Sequence, residues 1–110
     1  MKQYVIDELT EADYHRIRDH LQENYESAAL DGIYWVNLPE HLYNEIQTQH
    51  PDCRPFYFAI NLTRKQIGFE WLIRSRQTLH CPCIGYANGA QRDYIIDYAD
   101  ALMERLETRV

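Results

Sequence analysis

Apolar and polar side chains alternate most regularly between Phe56 and Ile84. Phe56, Phe58, Ile60 and Leu62 alternate with Tyr57, Ala59 and Asn61, the period of two that puts one set on a buried face. Ile67, Phe69, Trp71 and Ile73 repeat the pattern, and Leu79, Cys81 and Cys83 continue it. Three successive strands are therefore predicted, joined by the short polar connections Thr63–Gln66 and Ser75–Gln77. The first loop sets Leu62 opposite Ile67, Ile60 opposite Phe69, Phe58 opposite Trp71 and Phe56 opposite Ile73. The second sets Ile73 opposite Leu79, Trp71 opposite Cys81 and Phe69 opposite Cys83. Both registers give one continuous apolar face. Pro82 cannot donate to a ladder, which marks the third strand as an edge or a bulge.

The rest of the chain reads as elements that cover this face. Lys2–Asp7 predicts a short strand, and Thr10 with Asp13 three residues on resembles a capping box opening a helix to about Tyr25. Tyr14, Ile17 and Leu21 form its apolar stripe. Residues 27–32 extend that helix in this reading until Gly32 stops it, and Ile33–Val36 predicts another strand. Leu38-Pro39 starts a second helix with Leu42, Tyr43 and Ile46 on its apolar side, ending at His50-Pro51. Asn88 and Gln91 make a further capping pair for a last helix from about Gly89 to Glu107. Its inner stripe is Ile95, Tyr98, Ala99, Leu102 and Leu106, with Asp93, Asp97, Asp100 and Glu104 opposite. The expected fold is a single α+β domain over residues 1–110: an antiparallel or mixed sheet, built on a three-strand meander plus one or two short N-terminal strands, with three helices on one face.

Charge changes the picture in one respect. The net charge of −6 argues against a nucleic-acid binder, because phosphate contacts dominate such affinities. Yet residues 54–92 hold one acid against six bases, while residues 1–53 hold eleven acids against three bases. The meander is a basic segment in an acidic chain, and solubilised hairpin tips explain it more simply than an anion surface. The apolar runs are too short to span a bilayer and the first residues lack a signal peptide's apolar stretch, so a cytoplasmic protein with reduced thiols is expected.

Candidate chemistry is sparse. His50-x-x-Cys53 and His80-Cys81-Pro82-Cys83 together supply both ligand types that zinc favours. Against them stands distance: Cys53 lies five residues before Phe58, roughly 15 Å at strand rise, and only a sharp fold-back at residues 52–55 would join the two groups. Buried structural thiols are the favoured reading of Cys81 and Cys83 over a metal site or a reactive thiol. His80, placed across from Leu72 and diagonal to Glu70, offers a weak acid–base pair with no nucleophile. The turn 85–92 with Arg92 could meet an anion but lacks the spacing of a phosphate loop, and no cofactor is expected. No reaction is indicated, which leaves two readings. The first is an interaction module, self-associating or meeting another protein through the sheet face or an edge that carries Tyr57, Glu70, Leu72, Arg74, Arg76, His80 and Arg92. The second is a domain for a small anion or a metal, using Arg74, Arg76, His80 and the turn 85–92.

Overall fold

The computed structural model describes residues 2–27 and 32–106. The central strand is β4 (Phe56–Leu62), and every strand pairing around it is antiparallel. On one side it pairs with β3 (Ile33–Asn37), which pairs with the two-residue β2 (Glu26–Ser27). On the other side it pairs first with β5 (Ile67–Glu70) and then with β6 (Leu72–Ser75), two lengths of one interrupted strand. Strand β1 (Gln3–Ile6) lies along β5, and β7 (Gly85–Tyr86) lies along β6. Helices α1 (Glu11–Asn24), α2 (Glu45–Thr48) and α3 (Gly89–Arg105) complete an α+β architecture.

The core is the apolar face that alternation predicts. Phe56, Phe58, Ile60, Ile67, Phe69 and Ile73 from the sheet are fully buried with Ile17 and Leu21 of α1 and Ile95 and Ala99 of α3. Both long helices begin at complete capping boxes, Thr10 with Asp13 and Asn88 with Gln91. Each box satisfies two backbone N–H groups that would otherwise lack partners. Among the described residues no helix is long and apolar enough to cross a membrane.

Register departs from expectation at Trp71. Leu62 faces Ile67 and Ile60 faces Phe69, but Tyr57 then faces Arg74 and Phe56 faces Ser75, two residues later than continuous pairing allows. A slip of two preserves which face each side chain takes, so Ile73 stays in the core while Trp71 is extruded from the ladder and half-buried. Its N–H donates to the Lys2 carbonyl at 3.1 Å and its own carbonyl accepts from Ala87 N–H at 2.7 Å.

Three further expectations are corrected. Residues 79–83 form no strand, and Leu79 is 84% exposed. The Ser75 hydroxyl accepts from Gln77 N–H at 3.0 Å and Thr78 N–H at 3.3 Å, which turns the chain out of the ladder. The partner of β6 is β7 instead, with Ile73 opposite Gly85. The second helix is broken: a single 3-10 turn, Glu40–Leu42, precedes α2, which Asn44 and Gln47 restart with their own capping box. Ile46 consequently points outward, 45% exposed. Ser27 belongs to β2 rather than to an extended helix; residues 28–31 and Glu107, at the other expected helix limit, lie outside the described residues. Gly32 does take a positive φ of 84°, but it leads into β3, and a Cβ there would stand 2.5 Å from the Leu62 carbonyl oxygen.

Candidate metal centre

The segment His50–Arg54 folds back where an extended chain would have run on. His50 begins the 3-10 turn Pro51–Cys53, its carbonyl accepting Cys53 N–H at 3.0 Å, and the Arg54–Pro55 peptide is cis. Two bonds fasten this turn to the end of β6: the Ser75 hydroxyl donates to the Cys53 carbonyl at 2.5 Å, and Arg76 N–H donates to the Pro55 carbonyl at 3.1 Å. Residues 76–84 then loop back over it. Ile84 N–H donates to the Cys81 carbonyl at 3.0 Å, closing a turn around Pro82 that presents two sulfurs on one side.

The result overturns the distance objection read from the sequence. The sulfurs of Cys53, Cys81 and Cys83 all lie within 4.8 Å of one another, and Cys53 Sγ is 3.8 Å from Cys81 Sγ. Two thiolates on one tetrahedral zinc, at about 2.3 Å each, stand about 3.8 Å apart. One pair already has that spacing. Closing the others needs shifts of at most about 1 Å, well within side-chain rotation.

The electrostatics suit a cation. Cys81 sits below the ordinary thiol range, first because the Cys83 thiol donates to it and because Cys83 N–H points at its sulfur from 3.4 Å. Cys53 and the charge of His50 act in the same direction, against desolvation. Burial, followed by the bonds to Cys81 and Cys53, pushes the Cys83 thiol up to about 12. The trio therefore keeps a proton on its innermost member, which a bound cation would displace. Cys83 is fully buried while Cys53 and Cys81 are half-buried, so the group opens outward on one side.

Buried amides support the loop from beneath. Gln47 donates to the Cys83 carbonyl at 3.4 Å and accepts from Gln91 at 3.0 Å, and Gln91 also donates to the Leu42 carbonyl at 2.8 Å. Both glutamines are fully buried and both are the third residue of a capping box. The Asn-x-x-Gln spacing at Asn44 stands in the sequence as plainly as that at Asn88, and it was the available signal for this support.

Of the remaining candidates, Tyr57, Glu70, Arg74 and Arg76 come together on the second sheet face, while His80 and Arg92 lie elsewhere. His80 is exposed on the loop, away from the Leu72 pairing, because Leu72 faces Tyr86; the expected approach to Glu70 therefore has no basis in register. Glu70 is buried on the second sheet face, accepting from Asn61 at 2.6 Å with Arg74 at 3.7 Å. Arg76 stacks on Trp35 and Tyr57, donates to Asn37 at 2.9 Å and lines a cleft of about 420 Å³ with Tyr25, Tyr94 and Tyr98. Arg92 lies 4.7 Å over Trp71 and lines a different cleft of about 440 Å³ with Lys2 and Tyr86. Arg74 and Arg76 thus meet at Tyr57, which Arg74 faces across the ladder and Arg76 overlies at 5.4 Å, while Arg92 serves a different cleft. Comparison of the chain with protein-family models, with curated proteins and with solved structures finds no match.

Proposed function

We propose that this chain is a small metal-binding domain in which Cys53, Cys81 and Cys83 hold one zinc(II) ion. The observation that carries this reading is the gathering of three sulfurs, from two segments distant in sequence, within 4.8 Å. Thiolate-rich tetrahedral sites select zinc over the harder divalent cations, which prefer oxygen. The ion ties the loop 76–84 to the turn Pro51–Cys53, a cross-link between parts of the chain that share few other bonds. Its contribution is stability and loop order rather than chemistry on a substrate.

Elemental analysis of protein purified without chelator tests this. One zinc per chain is expected, lost in Cys53→Ser and Cys83→Ser variants. Saturation at a hundredfold excess over the dissociation constant adds about 2.7 kcal/mol of stability. Metal-free protein whose unfolding midpoint ignores added zinc would defeat the reading.

A second reading concerns what the tied loop presents. Leu79 in the loop is 84% exposed and Ile46, whose carbonyl meets His50, is 45% exposed, so two large apolar side chains are exposed on the segments around the centre in sequence. They support a contact surface for another protein or a second copy of this chain. Light scattering that gives only a monomer at every micromolar concentration tested, with zinc bound, would remove the self-association part.

A further inference from the structure

Three sulfurs leave a tetrahedral ion one position short, and the identity of the fourth ligand separates a closed structural site from an open one where water or substrate binds. The chain offers two histidines near these thiols in sequence, His50 and His80. They differ in how they are held. His80 is exposed, and the contacts at its position are backbone ones, its N–H and carbonyl both meeting the Thr78 hydroxyl at 3.2 Å. His50 is half-buried, and its Nδ1 stands 2.7 Å from the Ile46 carbonyl oxygen.

That contact fixes the tautomer. A carbonyl can only accept, so Nδ1 carries the hydrogen, and in the neutral ring the lone pair is then on Nε2. A metal-binding histidine is held in the same way: one ring nitrogen donates to a carbonyl or carboxylate, which orients the ring and raises the basicity of the other. His50 also begins the turn that carries Cys53, so imidazole and thiol move as one short unit. The imidazole stands outside the 4.8 Å sulfur group, so with the Ile46 contact kept it is the loop carrying Cys81 and Cys83 that must close toward Nε2 for the ion to take it as a ligand.

We infer that His50 is the fourth ligand, binding through Nε2, so that the centre is a closed site of three cysteines and one histidine, positioned by the Ile46 carbonyl. This rests on the three-thiol reading above. Closure excludes an open coordination position and with it hydrolytic chemistry at the ion. It assigns the centre to holding structure, and it sets the ligand order as one histidine and one cysteine from a single turn, then two cysteines from the loop.

Cobalt(II) loading of the purified full chain tests this, since cobalt reports coordination in its visible spectrum. Wild-type protein, His50→Ala, His50→Gln and His80→Ala are titrated with cobalt and then with competing zinc, with circular dichroism checking that each is folded. The expected result is a tetrahedral spectrum with three-thiolate charge-transfer intensity in wild type and in His80→Ala. Both His50 variants should bind at least about tenfold more weakly with an altered d–d envelope, and free imidazole should restore the envelope in His50→Ala. Nitrogen-15 spectra of the zinc form should show His50 protonated at Nδ1 and metallated at Nε2. If wild type binds no metal, the three-thiol reading itself fails. If it binds metal but His50→Ala keeps the wild-type affinity and spectrum, or if His80→Ala is the variant that changes them, the assignment of His50 is overturned while the thiol centre stands.

Discussion

Replacing Gln47 by methionine removes polar atoms from the support beneath the thiols while keeping side-chain length and most of the volume. Three partners lose a bond: Asn44 N–H, which donates to Gln47 Oε1 at 3.0 Å, the Gln91 amide at 3.0 Å and the Cys83 carbonyl at 3.4 Å. The Gln91 amide keeps its bond to Leu42 and the Asn44 side chain still caps the Gln47 N–H, so the main losses are the reciprocal half of the capping box and a buried carbonyl's partner. The lost bond to Asn44 N–H costs about 1 kcal/mol and a buried unpaired acceptor about 1–3 kcal/mol. The sum is about 3 kcal/mol, near 12 °C in unfolding midpoint for a chain of 110 residues. Gln47→Ala adds a cavity and should cost about 1–2 kcal/mol more. Urea titration followed by circular dichroism measures both, provided the slope is unchanged between variants. Because the same amide orients the Cys83 backbone, zinc affinity of Gln47→Met should also fall about 10–100-fold. A methionine variant within about 0.5 kcal/mol of wild type would refute the reasoning, since it would mean that water already reaches this carbonyl.

Two other outcomes follow from the structure. Cys83 has a folded pKa pushed up to about 12, above its unfolded value, so between about pH 9 and 12 the unfolded chain binds fewer protons and the stability of metal-free protein falls as pH rises. Denaturation midpoints between about pH 9 and 10, below the tyrosine range, should show this decline in wild type and lose it in Cys83→Ser; a flat wild-type profile contradicts the burial argument. Gly32→Ala puts a Cβ 2.5 Å from the Leu62 carbonyl oxygen at a positive φ, and should destabilise the chain by about 1–3 kcal/mol. A thermal midpoint unchanged by that substitution would show that the turn into β3 relaxes freely.

The sequence carried the core and the helix starts because those depend on local pattern. Alternation at Phe56–Leu62 and Ile67–Ile73 named the buried face, and the Thr10 and Asn88 boxes named where α1 and α3 begin. Alternation is blind to a slip of two, however, which is why the break at Trp71 left no trace in it. Leu79, Cys81 and Cys83 alternate like a strand, yet local bonds from Ser75 and Thr78 hold them in a loop. An extended chain would hold Cys53 far from Cys81, whereas the Pro51–Cys53 turn reverses direction just before β4. Such reversals rest on contacts between distant segments, here Ser75 with Cys53 and Arg76 with Pro55, and no window of sequence contains both partners.

The extruded tryptophan has a mechanical corollary. One residue's peptide groups clasp the beginning of the chain through Lys2 and the approach to α3 through Ala87, so β1 and β7 share a seam on the same edge. Fraying of the first strand would thus uncover the Trp71 amide and loosen the path into the last helix, coupling the two ends of the molecule through a single backbone joint.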